Sequence, residues 1–125
     1  MADIVTLSYG LCEADLGTSA TNFYHGLWQQ AAAQGMSVFV SSGDSGAADC
    51  DASDATTATR GRGVNGLCTS PFSTCVGGTQ FDDTANPSQY WSATNAANLG
   101  SALSYIPEKV WNESGSVSGG SGLWS

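Results

Sequence analysis

A chain of 125 residues with 41% hydrophobic content is long enough for one domain with a real core, or for part of one. Eleven acids against three bases give a net charge of −8, which repels nucleic acid and anionic membrane surfaces and excludes both as partners. Only 11% of residues are charged while glycine reaches 16, a balance that suits a secreted protein working in acid, where part of the carboxylate charge is neutralised. No apolar run approaches the ~20 residues that span a membrane.

Ile4-Val5-Thr6-Leu7-Ser8-Tyr9 reads as a strand that Gly10 ends. Met1-Ala2-Asp3 leads straight into it, so no signal peptide is expected within the chain, and a secreted parent would carry its targeting sequence elsewhere. Thr18 to Gln34 reads as a helix: Phe23, Leu27, Trp28, Ala31 and Ala32 recur at helical spacing, and Gly35 is a natural stop. Val38 to Ser41 is a second strand. Strand, helix, strand implies a parallel pair with a right-handed crossover. Both strands are continuous apolar runs, the pattern of a sheet covered by helices on both faces.

Residues 46–66 are rich in Ala, Asp, Thr and Gly, without periodicity, and read as a loop with a short helix near Ala52 to Ala58. Thr74-Cys75-Val76-Gly77-Gly78-Thr79 reads as a third strand with a glycine exit. Asn86-Pro87 marks a turn, followed by the aromatic pair Tyr90-Trp91. Residues 115–125 are Gly/Ser-rich, either a natural tail or a chain that stops inside a loop. There is no internal repeat.

Cys12, Cys50, Cys68 and Cys75 form an even set, so two disulfides with three possible connectivities are expected. No Cys-x-x-Cys pair exists and His25 is the only histidine, which argues against zinc. Asn112-Glu113-Ser114 is a formal glycosylation acceptor.

The stretch with most chemical content is Ser41-Ser42-Gly43-Asp44-Ser45-Gly46, directly after a buried-type strand. Ligands of open α/β sheets bind just beyond the carboxyl ends of the strands, so Asp44 lies where chemistry is expected. An aspartate there can also be a plain turn former that caps nearby N–H groups. The flanking glycines permit close approach of a ligand to the backbone.

Other motifs have simpler explanations. Gly43-Asp44-Ser45-Gly46 resembles the nucleophile turn of trypsin-like proteases, but that site needs a histidine base, and His25 falls in a helix pattern of an α/β chain. Gly17-Thr18-Ser19-Ala20 resembles the nucleophile motif of subtilisin-like enzymes, but it opens an amphipathic helix, so Thr18 or Ser19 reads as its N-cap. Glu13 and Asp15 stand two residues apart, which does not place them on one helix face, and read as solvated loop carboxylates. Asp49, Asp51 and Asp54 fail the EF-hand pattern and read as a solvated acidic loop.

Taken together, Ser8-Tyr9-Gly10, the run from Gln29 to Gly35, Val38 to Ala47, and Val76-Gly77-Gly78-Thr79 resemble the sedolisin, or serine-carboxyl peptidase, family, acid-acting relatives of subtilisin. Tyr90-Trp91-Ser92, Ser104-Tyr105-Ile106-Pro107-Glu108 and Trp111-Asn112 resemble its bacterial, kumamolisin-like branch. The resemblance implies an α/β fold with a mostly parallel, subtilisin-like sheet flanked by helices. It implies a serine nucleophile activated by a glutamate backed by an aspartate, and a second aspartate in the oxyanion hole. Asp44 matches that second aspartate. Ser8, Tyr9, Gly10, Ser42 and Gly43 match strand ends that line the substrate cleft.

The family's glutamate and aspartate lie four residues apart on a helix upstream of the first strand here. Its Gly-Thr-Ser nucleophile and its calcium site lie downstream. The resemblance therefore implies that residues 1–125 are a central segment of the peptidase domain, lacking both ends and holding one of four catalytic residues. No cofactor is implied within it, and its partners would be a protein or peptide substrate and the remainder of the parent chain. Cys12 and Cys50 follow the carboxyl ends of two strands expected to be neighbours, so their bridge would tie the cleft loops together. Cys68 and Cys75 would then pair around the Thr69 to Thr74 turn, with the other connectivities still open. The implied function is part of a secreted, acid-acting serine-carboxyl endopeptidase. The alternative is a non-catalytic, truncated pseudo-peptidase module that binds peptide without cleaving it.

Overall fold

The computed structural model describes residues 2–112, so the Gly/Ser-rich end and most of the glycosylation acceptor lie outside the described residues. The chain divides into two compact units: one runs to Gly77, and the other is Gly78–Trp111.

The first unit is built on three parallel strands, β1 (Ile4–Leu7), β2 (Ser37–Ser41) and β3 (Thr74–Val76), in the order β1-β2-β3. The register pairs Val5 with Val38, Leu7 with Val40, and Val40 with Cys75. The helix α1 (Glu13–Ala33) joins β1 to β2. The fold is thus α/β, with the strand–helix–strand crossover that the sequence predicts. Alternation in the strands sends Val38 and Val40 towards α1, where they pack with Trp28, Ala31 and Leu67. Val5, Leu7, Leu16, Tyr24 and Phe72 close the edges of this core. Trp28 also satisfies its ring N–H by donating to the Leu67 carbonyl at 3.0 Å.

Several expectations need correction. The apolar runs predict helices on both sheet faces, but α1 covers one face only among the described residues. On the other, Ile4 is 60% exposed and Val76 47%. Within α1, Phe23 and Leu27 share the apolar spacing yet are exposed, because the sheet meets only the Trp28 and Ala31 side. The helix also starts earlier than Thr18. Glu13 to Leu16 form a first turn, and Gly17 breaks it with φ 72° and ψ 162°, a conformation open to glycine. No Thr18 or Ser19 cap bond forms there; instead the Thr21 hydroxyl donates to the Gly17 carbonyl at 3.0 Å.

No helix forms over residues 52–58. That segment is an irregular loop, tied down by bridges between Ala48 and Gly63 and between Cys12 and Asn65, and it leads into a short 3-10 turn at Gly66–Cys68. The expected third strand from Thr74 to Thr79 is two elements. β3 ends at Val76, and Thr79 opens a strand of the second unit. The disulfides are Cys12–Cys50 and Cys68–Cys75, with Cα atoms 4.9 and 5.2 Å apart. Both fall within the span that a disulfide requires. The first bridge follows from the parallel pairing of β1 and β2, which brings the segments after the two strands side by side.

The second unit pairs β4 (Thr79–Phe81) antiparallel with β5 (Glu108–Val110), and a one-turn helix α2 (Pro87–Tyr90) lies between them in the chain. Phe81 packs edge-on against Trp91, with ring centroids 5.6 Å apart, and the Trp91 indole donates to the Asp83 carboxylate. Ile106 is its buried apolar residue.

Candidate functional site

Because β1 and β2 are parallel neighbours, the segments leaving their carboxyl ends emerge at the same edge of the sheet. Beyond that edge lies a cavity of about 910 Å³, whose walls include Ser8, Tyr9, Gly10, Gly43 and Asp44. Five of the six residues assigned to the site by sequence therefore meet in one place. Ser42 does not line the cavity: its N–H donates to the Val76 carbonyl at 2.8 Å, which directs it to the β3 side of the strand.

The residue that holds the two strand ends together is Asn65, which the sequence gives no reason to single out beyond the turn signal of Asn65-Gly66. It is 1% exposed. Its side-chain N–H groups donate to the Ser41 carbonyl at 2.8 Å and the Tyr9 carbonyl at 3.2 Å. Its oxygen accepts from the N–H groups of Leu67 at 3.1 Å and Leu11 at 3.3 Å. The amide thus uses two donors and two acceptor positions in one knot beneath the cavity floor. The fit explains Gly10, where a Cβ would lie 2.5 Å from Asn65 Nδ2.

Asp44 is exposed at the cavity, after Gly43 with φ 90° and before Gly46 with φ 52°. Among the described residues its carboxyl accepts no hydrogen bond, so the turn-capping role open to it in sequence is not taken up. Its neighbour on the wall is Asp49. This residue is half-buried, not part of a solvated acidic loop, and its Oδ2 is buried without a hydrogen-bond partner. The other oxygen, Oδ1, sits so close under the turn that a Cβ on Gly43 would lie 2.8 Å away. Burial first, and then the Asp44 charge, push the Asp49 carboxyl above its ordinary value.

Two further aspartates of the wall are already satisfied. Asp51 accepts from the Thr59 N–H at 2.7 Å, the Thr59 hydroxyl at 3.0 Å and the Arg60 N–H at 3.1 Å. These bonds, the Thr59 N–H foremost, hold its carboxyl below its ordinary value. Asp15 belongs to the first turn of α1 and grips Arg60 with both oxygens, at 2.6 and 2.7 Å, where the sequence had it as a solvated loop carboxylate. Arg60 also donates to the Cys50 carbonyl, so one guanidinium ties α1 to the loop beside the Cys12–Cys50 bridge.

The Arg60 hydrogen bond lowers the Asp15 carboxyl below its ordinary value. A depressed aspartate contributes stability above its unfolded-state value and loses it as pH falls through the folded one. Asp15→Asn is expected to lower the urea midpoint slightly at neutral pH and low salt. The gap to wild type should close as pH falls below 3.8. It should also shrink at about 1 M salt, because the pair is exposed and screened. A gap independent of pH and salt would show that Asp15 acts through packing alone.

The alternative serine sites do not assemble. Ser45 is buried, and Ser19 is exposed on α1. The only histidine, His25, has Nδ1 3.4 Å from the Ser70 hydroxyl and its ring against Phe72, in a separate hollow of about 170 Å³. Among the described residues no group of three or more His, Cys, Asp or Glu side chains could hold a metal ion.

The class that this architecture defines is an α/β protein with a parallel sheet and a ligand-sized cavity at the strands' carboxyl edge. Among solved structures it is similar to Pseudomonas sedolisin, a serine-carboxyl proteinase, complexed with two molecules of pseudo-iodotyrostatin. The match has a TM-score of 0.56 and 24% identity over 90% of this chain, and the likeness is one of fold. The chain spans 30% of the length of that structure. No family model and no curated protein matches the chain.

Proposed function

We propose that this chain forms part of the catalytic domain of a serine-carboxyl endopeptidase that cleaves proteins in acid outside the cell. In this reading Asp44 is the oxyanion donor, and Ser8, Tyr9, Gly10 and Gly43 line the substrate cleft. The observation that carries it is the place of Asp44: an exposed carboxyl that accepts no hydrogen bond among the described residues, on the wall of the cavity where β1 and β2 end. A protonated carboxylic acid can donate to a developing oxyanion, whereas a carboxylate only accepts. That requirement fits a protein with 11 acids and 3 bases that works at low pH. The two disulfides fit an oxidising, extracellular setting. The substrate is a protein or peptide laid along the strand ends. No cofactor is assigned to these residues, and the family's calcium site would lie downstream.

The serine nucleophile and its glutamate–aspartate base are supplied, in this proposal, by sequence outside residues 1–125. The purified chain alone is therefore expected to leave denatured casein or haemoglobin intact between roughly pH 3 and 8, since nucleophilic catalysis needs an activated serine. The parent reading frame should carry a glutamate and an aspartate four residues apart upstream and a Gly-Thr-Ser downstream, and its product should cleave the same substrates in acid. Turnover by the chain alone that disappears in Ser19→Ala or Ser45→Ala would instead place a nucleophile within it.

A further inference from the structure

The cavity contains an imbalance that the oxyanion role does not explain. Four aspartates line it, with Arg60 as the cation on its wall. Arg60 is taken up by Asp15 and by the Cys50 carbonyl. Asp51 is satisfied by Thr59 and the Arg60 backbone. Among the described residues no ion pair joins a cation to Asp44 or Asp49, whose charges act on each other, and Asp49 Oδ2 is buried with no hydrogen-bond partner. A buried carboxylate in that position carries its full desolvation cost, and a second negative charge on Asp44 adds repulsion. A carboxylic acid there avoids the repulsion and carries only the smaller desolvation cost of a neutral group.

We propose that Asp44 and Asp49 work as one carboxyl pair, in which a proton held on Asp49 keeps the Gly43 turn closed against the cavity wall and ionisation of Asp49 loosens it. Asp49 is then a positioning residue that acts on Asp44 through the turn. The contact is direct. Asp49 Oδ1 lies close enough under Gly43 to exclude any Cβ, and Gly43 already holds a φ of 90° that side chains avoid. Charging Asp49 therefore pushes on the one residue that aims Asp44. The consequence is an acid-dependent cleft: in acid the turn is set and Asp44 has a neutral neighbour, and as pH rises the pair repels itself and the turn opens. The link to catalysis rests on the reading of Asp44 as oxyanion donor, but the titration and the movement of the turn do not.

The test uses the complete 125-residue chain, as wild type, Asp44→Asn and Asp49→Asn. Carboxyl carbon NMR across roughly pH 2 to 8 is expected to show Asp49 titrating above the ordinary aspartate value of 3.8. In Asp44→Asn its midpoint should fall part of the way back, because burial remains. The backbone amides of Gly43 and Ser45 should titrate together with Asp49 in wild type and lose that inflection in Asp49→Asn. An acid raised by folding contributes stability at low pH that is lost as pH rises through its folded value. Asp49→Asn should therefore gain on wild type in urea midpoint between about pH 3 and pH 7. Asp49 titrating at its ordinary value would overturn the pair, as would a midpoint unchanged by Asp44→Asn. Gly43 and Ser45 amides indifferent to Asp49 would overturn the coupling to the turn. If the pair behaves as expected while Asp44→Ala leaves the complete peptidase fully active, the carboxyl pair stands and the oxyanion assignment fails.

Discussion

Asp44→Ala in the complete parent peptidase is expected to lower turnover by ~100-fold or more, the usual effect of removing one oxyanion donor. KM should change little, because the hydrogen bond is made mainly as negative charge develops on the substrate oxygen. Asp44→Asn is the informative partner variant. An amide donates at every pH, so it should retain more activity than alanine, and its activity should fall less steeply as pH rises. The separation of the two variants matters more than the size of either loss. A turn former would give similar values for both, with a change in stability and no change in the shape of the pH profile. Kinetics across roughly pH 3 to 7 measure this. Near-normal turnover in Asp44→Ala would return Asp44 to a structural role and remove the main support for the proposed function.

Asn65→Leu should produce the largest loss of stability among single substitutions around the cleft. The side chain is buried, and its removal orphans the carbonyls of Tyr9 and Ser41 and the N–H groups of Leu11 and Leu67. Each buried group left unsatisfied costs about 1–3 kcal/mol, so a loss on the order of 3 kcal/mol or more is expected. The leucine must also fit against Gly10, where the amide already leaves no room for a Cβ. Asn65→Asp keeps the shape but turns a carboxylate towards the Tyr9 and Ser41 carbonyls, so it should destabilise more at neutral pH than near pH 4, where protonation restores a donor. Urea unfolding at the two pH values measures both effects. If Asn65→Leu stays within about 1 kcal/mol of wild type, water replaces the amide and the strand ends do not depend on it.

What could be read from the chain in order is what local periodicity encodes. The apolar runs at Ile4–Leu7 and Val38–Val40, with the helical spacing of Trp28 and Ala31 between them, specify a parallel pair and its crossover helix without reference to any distant residue. That pairing in turn places Cys12 near Cys50, and Asp44 at the strands' carboxyl edge. What tertiary structure alone decided lies in the segments without periodicity. Asn65 bonds to carbonyls 24 and 56 residues away in sequence, and no local pattern marks an asparagine in a Gly-rich loop as the knot between two strands. Residues 52–58 have the composition of a short helix, but the tethers at Asp51, Arg60 and Gly63 satisfy the loop without one. In sequence Asp49 looks like Asp51 and Asp54, and only the turn at Gly43 folding over it sets it apart. Burial of a charged group is set by which segments close around it, and that depends on the packing of the whole sheet edge, not on the residues beside it in the chain.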